Sequence, residues 1–470
     1  MKKQEKMEKK FKKSLFIFRR DFRLEDNTGL IFALQSSQVV IPAFIFTEEQ
    51  IEKNPYRSNH CLTFMIESLL DLENQLMEKG GKLTLFQGKP EEIVNKCILE
   101  LGIEALIVNR DYTPYSRERD TKLEKICRTH NISFYSFDDA LLHPPEETLK
   151  KDGTPYTIFT PYFRNASKNQ ILPPRPNREN NYFQGKIAFA ENKSIFSEIL
   201  PKQNMENRLV GGRTQALKIL KNLASFEQYE TLRNFPAENY STRLSPYLKF
   251  TLCSPREVYA AVCHKLDSHH DLIRSLYWRD FFSGIAFFFP HVFKGAFHPK
   301  FDQIQWSNNK STYERWCKGT TGFPIIDAGM REMNQTGFMH NRVRMITASF
   351  LIKDLHIDWR WGEKYFAQTL IDYDPAVNNG NWQWAASTGT DAQPYFRIFN
   401  PWSQQKKFDS ECTYIKKWVP ELSNLPSKTI HAWNEEKHHW LCPEYPSPII
   451  DHETAAKETL QSYRAISSKP

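Results

Sequence analysis

One segment in the second half of the chain combines residue types that could bind a ligand and support chemistry. The segment Asp372 to Thr390 holds two carboxylates, Asp372 and Asp374, two adjacent asparagine amides, and the tryptophans Trp382 and Trp384. Burying so many polar groups beside large aromatic rings is costly unless those groups pair with something. The segment therefore predicts a ligand site with aromatic walls.

Common catalytic and metal-binding signatures are absent from the sequence. It contains no GxxxxGK[ST], no GxGxxG after the first apolar run, no HExxH and no GxSxG. The pairs His269/His270 and His438/His439 would face apart on a helix, so we interpret them as surface residues and expect no metal. The eight cysteines form no CxxC pair, which favours a reducing, intracellular environment.

Periodicity predicts the elements that must position the site. Short apolar runs without helical period predict buried strands at 15–18, 39–46, 83–86, 105–108 and 132–137. Helical spacing between them predicts helices at 61–78, 90–101 and 116–129. This alternation is typical of a parallel, five-stranded, Rossmann-like sheet, so we expect an α/β N-terminal domain over residues 14–143.

The composition changes after this domain. Residues 144–210 are rich in Pro, Asn, Lys and Tyr, which predicts an interdomain linker without regular structure. Residues 211–470 predict an all-α C-terminal domain, because nearly every segment has helical spacing. Its clearest stretches are 213–226, 255–266, 272–288, 324–336 and 341–355.

The charge of the chain leaves two interpretations open. Residues 1–13 are basic and lack an apolar signal-peptide core, so we expect a disordered tail. The formal net charge of +8 would attract a polyanion such as nucleic acid, but a mildly basic globule without such a partner is equally compatible. No stretch is long enough to cross a bilayer, so we expect no membrane partner.

Several long stretches resemble the cryptochrome/photolyase family. They are FRRDFRLEDN, STRLSP, TGFPIIDAGMREMNQTGFMHNRVRMITASFLIKDLHIDWRWGEKYF and NNGNWQWAASTGTDAQPYFRIFNP. The resemblance extends over nearly the whole chain and is closer to the bacterial class I enzymes that repair cyclobutane pyrimidine dimers. It implies FAD bound in the helical domain, damaged DNA as partner, a bacterial cytoplasmic location and a monomer.

The resemblance also implies which residues hold FAD. Tyr229 and the run Ser241, Thr242, Arg243, Leu244 and Ser245 would bind the pyrophosphate through hydroxyls and backbone amides; without the resemblance, STRLSP reads as an ordinary helix cap. Asp372 and Asp374 would face the isoalloxazine and adenine, with Arg344 as the ion partner of Asp372. Asn378 would lie at the flavin N5, and Tyr373 and Asn341 complete the implied cofactor site.

Three tryptophans fall where the family has its electron-transfer relay. Trp306, Trp359 and Trp382 would lead from the surface to the flavin, and with Asn378 they form the implied catalytic set. Each tryptophan taken alone is more often a core residue. Their joint match favours the relay.

A further set would bind the lesion. Trp278 and Trp384 would form apolar walls against which a flipped dimer stacks. The remaining residues would line this pocket or hold the flanking phosphates: Arg233, Ser275, Arg279, Asn341, Arg342, Met345 and Gln404.

The sequence departs from the family at three positions. Ser275 stands where a glutamate usually bonds the dimer, Phe338 where tryptophan is common, and Thr251 where glycine is expected. A hydroxyl donates one bond where a carboxyl group would make two, so the substrate class depends on Ser275. His340-Asn341 in place of paired histidines, together with Met345, favours cyclobutane dimers over (6-4) photoproducts.

The predicted activity is light-driven repair of cyclobutane pyrimidine dimers in DNA by electron transfer from excited, reduced FAD. An antenna pigment, methenyltetrahydrofolate or a deazaflavin, would bind the α/β domain, with the run Asn109 to Asp120 as the relevant loop. The alternatives are a cryptochrome-type photosensor and a flavin-bearing DNA-binding protein that has lost repair.

Overall fold

Five parallel strands form the sheet that the apolar runs predict. The structure is a computed structural model that describes residues 9–200, 208–238 and 240–467. The strand order is β3-β2-β1-β4-β5, with bounds β1 Phe11–Phe18, β2 Ser37–Phe46, β3 Thr84–Gln87, β4 Ala105–Asn109 and β5 Ser133–Phe137. The crossover helices are α1 Thr28–Ser36, α2 Glu48–Ile51, α3 Asn59–Glu78, α4 Pro90–Leu101 and α5 Pro114–Thr129. The predicted α/β architecture is confirmed.

Strand β1 begins earlier than predicted. Phe11 is buried and pairs with Ser37, so residues 11–13 belong to the sheet and not to the basic tail. The Phe11 ring is buried, Lys12 is exposed, and the Lys13 ammonium donates to the Leu101 carbonyl at 2.8 Å, so neither charge is left buried without a partner. Residues 1–8 of the predicted tail lie outside the described residues.

Successive side chains of β1 enter two different cores. Phe16 and Phe18 pack into the large core that also contains much of the helical half, whereas Leu15 and Ile17 pack into a smaller core on the other face of the sheet. This alternation follows from the period of two residues in a strand. Both faces of the sheet are covered, as expected for a parallel sheet.

The region predicted as a structureless linker contains two short helices. They are α6 Phe159–Ala166 and α7 Ser194–Ile199. The prediction was wrong for α6 because Phe159, Tyr162 and Ala166 share one helical face, and all three are buried in the large core. Residues 201–207 of this region lie outside the described residues.

The second half of the chain is helical, as the spacing predicts. Its helices are α8 Arg213–Lys221, α9 Tyr229–Leu232, α10 Ser245–Lys249, α11 Pro255–Lys265, α12 Asp271–Phe288, α13 Lys310–Lys318, α14 Pro324–Thr336, α15 Asn341–Lys353, α16 Trp359–Thr369, α17 Pro375–Ala386, α18 Pro401–Phe408, α19 Thr413–Trp418, α20 Ser427–His431 and α21 His452–Ser467. None of the helices in the described ranges is long and apolar enough to span a membrane.

A buried polar network joins the sheet to the first helices of the second half. The Arg23 guanidinium donates to Asp139 at 2.7 Å. Arg256 on α11 donates to Asp139 and to Asp26, each at 2.9 Å. Burying these charges is tolerable only because each finds a partner of opposite sign. The network therefore fixes the helices that carry the site against the sheet.

Candidate active site

A cavity of about 550 Å³ opens within the helical half. Its walls come from α9, α10, α12, α15, α16 and α17 and from the loops before α10, α15 and α17. They include most of the site residues predicted from the sequence: Tyr229, Arg233, Ser241, Thr242, Arg243, Leu244, Ser245, Ser275, Trp278, Arg279, Asn341, Arg342, Arg344, Met345, Asp372, Tyr373, Asp374, Asn378, Trp382 and Trp384. The predicted residues Trp306, Trp359 and Gln404 do not line it. Gln404 is half-buried on α18.

The start of α17 orients three of these side chains. The Asp374 carboxylate accepts hydrogen bonds from the backbone amides of Ala376 and Val377 at 3.1 and 3.2 Å, and Pro375 occupies the first helical position. Because a helix turns every 3.6 residues, Asn378 and Trp382 then lie one above the other on the same face. Both line the cavity.

One end of the cavity is polar and internally paired. Ser245 donates its hydroxyl to Asp372 at 2.6 Å, and Arg344 contacts both oxygens of the same carboxylate at 2.9 and 3.1 Å. The predicted Arg344–Asp372 ion pair is therefore confirmed. Arg243 adopts a φ of +50°, an uncommon conformation for a residue other than glycine, and lies in the polar run that forms this end. The arrangement presents hydroxyls and a cation in a concave wall.

Asn378 is held by a carboxyl group that the sequence analysis did not single out. Its side-chain amide donates to the backbone carbonyl of Glu363 at 3.0 Å and to the Glu363 carboxylate at 3.2 Å. Burial raises the pKa of Glu363 to about 7, although the bond from Asn378 acts to lower it. With the amide nitrogen bonded to Glu363, the amide oxygen remains to face the cavity.

Asp374 also connects the site to the α/β domain. Its second oxygen accepts from Arg20 at 2.8 Å, and Arg20 lies just after β1. Burial would raise the pKa of Asp374, but the charges of Arg20, Lys249 and Arg279 outweigh burial and hold that pKa below its usual range. Asp374 is therefore a helix cap, a cavity residue and an interdomain contact at once.

The other side of the cavity is apolar. Trp382 packs edge-on against Phe366, with ring centroids 4.9 Å apart. Gly362 makes this possible, because a Cβ at that position would overlap the Trp382 ring. Gly380 likewise lets Phe282 approach the backbone of α17. Two glycines therefore allow large aromatic side chains to pack closely against helices in this wall.

Two of the three predicted relay tryptophans are buried, and the third is partly exposed. Trp382 lines the cavity and is 2% exposed, Trp359 begins α16 and is 3% exposed, and Trp306 is only half-buried. Trp306 lies beside His356, with ring centroids 5.4 Å apart. Trp306 and Trp359 therefore belong to the surroundings of the cavity and not to its wall.

The two tryptophans predicted to contact the lesion, Trp278 and Trp384, lie on two different helices. Trp278 on α12 is stacked on Phe159 of α6, with ring centroids 3.6 Å apart and planes 5° from parallel. Trp384 is half-buried on α17. The α6 helix missed from the sequence thus buttresses one of the two rings.

The predicted polar residues around these walls are already engaged within the chain. Arg233 pairs with Asp271 at 3.2 Å, and Arg342 donates to Asn234 at 2.7 Å. Ser275 donates to the Asp271 carbonyl at 3.3 Å. These contacts fix the orientations of the three side chains at the edge of the cavity.

Arg279 differs from the other predicted cations. It donates to the backbone carbonyls of Ala140 and Leu248, one from each half of the chain. Of the two predicted functions, lining the pocket agrees with these contacts. Holding a DNA phosphate does not, because the guanidinium is turned toward the domain boundary.

Sequence reasoning missed Glu363, Arg20 and Lys249. Arg20 was within the quoted stretch FRRDFRLEDN, and Glu363 was within WRWGEKYF. The sequence did contain a signal for Glu363, because it is a charged residue among aromatic residues that are expected to be buried. The contact of Arg20 with Asp374 spans most of the chain, so nothing in the local pattern could indicate it.

Comparison with known proteins agrees with this geometry. Residues 14–179 match the family model described as DNA photolyase, and residues 272–465 match the one described as FAD binding domain of DNA photolyase. A relative from Alkalihalophilus pseudofirmus named deoxyribodipyrimidine photo-lyase is 36% identical over 468 residues, covering 95% of this chain and 97% of the relative.

Solved structures share the whole fold. An archaeal photolyase from Sulfolobus tokodaii, crystallised with two FAD molecules, has a TM-score of 0.88 and 42% identity over 96% of this chain and 100% of that one. A Synechocystis cryptochrome has a TM-score of 0.88 and 28% identity over 96% of this chain and 98% of that one. With family matches in both halves, and a relative aligned almost end to end, the chain belongs to the DNA photolyase family.

Proposed function

We propose that this protein holds FAD in the cavity and uses light to reverse cyclobutane pyrimidine dimers in DNA. Supporting observations are the shared fold, the full-length relative named deoxyribodipyrimidine photo-lyase, and the side chains gathered around one cavity.

The residues present fit a flavin dinucleotide. The hydroxyl of Ser241 and the cation Arg243 lie in a polar wall suited to a pyrophosphate. Trp382 and Phe366 form an apolar wall suited to a flat ring system. A cavity that is polar at one end and aromatic along one side matches the two chemical halves of FAD.

When bound and fully reduced, FAD supplies a photoexcited electron that opens the cyclobutane ring and is then returned, so the repair has no net redox change. The chain supplies orientation and electrostatics. Arg344 neutralises Asp372 and holds it against Ser245, which fixes the polar wall. Asn378, fixed by Glu363, would present its amide oxygen to the hydrogen-bonding edge of the ring.

The lesion would enter between the two tryptophan walls. A dimer extruded from the duplex can stack on Trp278 and Trp384, whereas a dimer inside the helix cannot reach them. Asn341 is exposed at the cavity and is available to hydrogen-bond the bases. Ser275, whose hydroxyl already donates to the Asp271 carbonyl, would only accept a bond. Arg233 and Arg342 would contact the flanking phosphates, and such contacts position the duplex without reading sequence.

The tryptophans Trp306, Trp359 and Trp382 would carry an electron from the surface to the cavity. The partial exposure of Trp306 and the burial of Trp359 and Trp382 support Trp306 as the surface end. This relay would restore the reduced state of the enzyme and is separate from repair by enzyme that is already reduced.

The antenna pigment would be a folate or a deazaflavin bound at the loop that follows β4. The predicted loop begins at Asn109, which bonds Asp21, Asn27 and the backbone of Gly29 in a buried network. At the other end of the run, Asp120 pairs with Arg19 at 2.7 Å. The absorption spectrum of the purified protein distinguishes the two pigments.

The observation that carries the proposal is the convergence of the polar wall, Asn378, Trp382 and the two lesion walls on a single cavity. The test is survival of photolyase-deficient bacteria after ultraviolet damage. Cells that express this protein should survive better under blue light than in the dark. In the variant Ala385→Trp the larger side chain fills the cavity, so the protein should not bind FAD. Cells that express it should survive no better under blue light than in the dark.

A cryptochrome-type photosensor is the second candidate, and the 28% identical cryptochrome of the same fold is what favours it. A sensor would bind FAD and bleach under light without improving survival. Light-dependent survival therefore separates the two functions.

A further inference from the structure

A second cleft lies behind the polar wall of the FAD cavity. It has a volume of about 480 Å³, within the range of small-molecule sites. The residues that matter for its chemistry are Arg208, Arg243, Gln335, Phe338, Lys417 and Trp418. We call it the Trp418 cleft. Arg243 and Phe338 line both this cleft and the FAD cavity, so they form a shared wall.

Cations outnumber acids in the Trp418 cleft. Arg208, Arg243 and Lys417 contribute positive charge, and Glu332 is the carboxyl group in the lining. Glu67 contacts both terminal nitrogens of Arg208, which fixes this guanidinium and offsets its charge. Three cations therefore stand against two carboxyl groups, Glu332 and Glu67.

The carboxyl group of Glu332 is turned to internal partners. It accepts from the Tyr414 hydroxyl at 2.6 Å and from the backbone amide of His340 at 3.3 Å. Burial raises the pKa of Glu332, although the bonds from Tyr414 and His340 act to lower it. The cleft therefore favours anionic ligands.

Aromatic rings supply the remaining surface. Two guanidiniums contact the Phe338 ring, those of Arg243 and Arg344, at 5.4 and 5.2 Å from its centroid. Trp418 is half-buried, and the Lys417 ammonium lies 5.1 Å from its ring centroid. Gln335 is exposed and can both donate and accept hydrogen bonds. A ligand with a flat ring and an anionic group would use all of these contacts.

We propose that the Trp418 cleft is a second ligand site, distinct from the FAD cavity, that binds a nucleoside monophosphate. The base would stack on Trp418, and the phosphate would contact Lys417 and Arg243. Inorganic phosphate lacks the ring and an uncharged nucleoside lacks the anion, so each would use only part of the site. Because Arg243 belongs to both sites, occupancy of the cleft and FAD binding would influence each other reciprocally.

The test is calorimetric titration of the FAD-saturated protein with guanosine monophosphate, which is not a component of FAD. We expect one site per chain, with guanosine and inorganic phosphate each binding about tenfold more weakly. Lys417→Ala and Trp418→Ala should each lower the affinity for guanosine monophosphate by about tenfold. Lys416→Ala is the matched control, because Lys416 is on the same helix but does not line the cleft, and it should bind as the parent does.

Three results would overturn the proposal. One is the absence of binding to the folded, FAD-loaded protein. The second is release of one flavin for each nucleotide bound, which would put the nucleotide in the FAD cavity. The third is an affinity for guanosine monophosphate that does not change in Lys417→Ala. This variant tests the proposal even if Trp418→Ala fails to fold.

The nucleotide could be free or belong to the end of a DNA strand. A short undamaged oligonucleotide with a terminal phosphate should compete with guanosine monophosphate if DNA is the source, and should not compete if the cleft takes free nucleotides. Repair is measured separately, so failure of the cleft proposal and failure of the proposed repair function are distinguishable.

Discussion

At the scale of single residues, the site combines groups whose function follows from their partners. Glu363 fixes the amide of Asn378, and Arg344 neutralises Asp372, so that both side chains would be suited to a place beside a flavin. Ser275 departs from the glutamate of the family, and its one donated bond goes to the Asp271 carbonyl. Recognition of the dimer would therefore depend more on Asn341 and the tryptophan walls.

Asn378→Ala should make the reduced flavin less stable. The substitution removes both bonds to Glu363 and the amide that would face the ring. We expect FAD still to bind, but to reoxidise several-fold faster in air, as followed by flavin absorbance in the dark. Gln368→Ala is the control, because Gln368 is an exposed amide on α16 that bonds to the Pro55 carbonyl and does not line the cavity, so reoxidation should stay near that of the parent. Equal rates for all three proteins would remove Asn378 from the site.

Trp306→Phe should block photoreduction and spare repair. Phenylalanine keeps the packing against His356 but is much harder to oxidise than tryptophan. Oxidised protein under light with an external donor should therefore reduce its FAD far more slowly, while protein reduced chemically should repair at the parental rate. Photoreduction at the parental rate would show that the electron takes another path.

At the scale of elements, the sequence predicts helices and strands well wherever one face is apolar. Helices α4 and α14 begin and end where their spacing and proline starts indicate. Helix α6 was missed because its polar, proline-rich surroundings masked three apolar residues on one face. The backbone at Thr251 could not be anticipated, since the expected glycine is absent.

Thr251 occupies a strained position that its hydrogen bond offsets. Its φ is +42° and it is fully buried, and its hydroxyl donates to the carbonyl of Arg20 at 2.6 Å. Thr251→Gly relieves strain of about 1 kcal/mol but loses a bond worth about as much. Thr251→Val keeps the strain and loses the bond, so it should lower the free energy of unfolding by roughly 1–3 kcal/mol. In urea unfolding, the Thr251→Val variant should have a lower free energy of unfolding than the Thr251→Gly variant. The reverse ranking would refute this interpretation of the strain.

At the scale of the whole molecule, contacts between the two halves complete the site. Arg20 reaches Asp374 and Arg279 reaches Ala140, and both pairs cross the domain boundary. The sequence could predict Asp372, Asn378 and Trp382 because they lie in one segment. It could not predict Arg20, Lys249 or Glu363, because their partners are set only by how the helices pack on each other and on the sheet.

Asp280 makes the stability of this boundary depend on pH. It accepts from the backbone amides of Leu142 and His143, and burial raises its pKa from 3.8 to about 7, although Arg279 nearby acts to lower it. Because the pKa is raised in the folded state, its contribution is complete below 3.8 and is lost as the pH rises through about 7.

Asp280→Asn removes this titration and keeps an oxygen that can accept both bonds. We compare the free energies of unfolding of the variant and the parent. The variant's advantage should increase by roughly 2–4 kcal/mol as the pH rises from 3.8 to about 7, and should then level off. Denaturant unfolding at several pH values measures the difference. A difference that does not change with pH would mean that Asp280 is ionised throughout.

The central claim is that the cavity brings bound FAD and an extruded dimer together for light-driven repair. The most direct measurement uses FAD-loaded, chemically reduced protein mixed with an oligonucleotide that contains one thymine dimer. Under blue light, the ultraviolet absorbance of the bases should recover as their double bonds re-form, and it should stay constant in the dark. Absence of recovery under light, with FAD reduced and the oligonucleotide bound, would contradict the account.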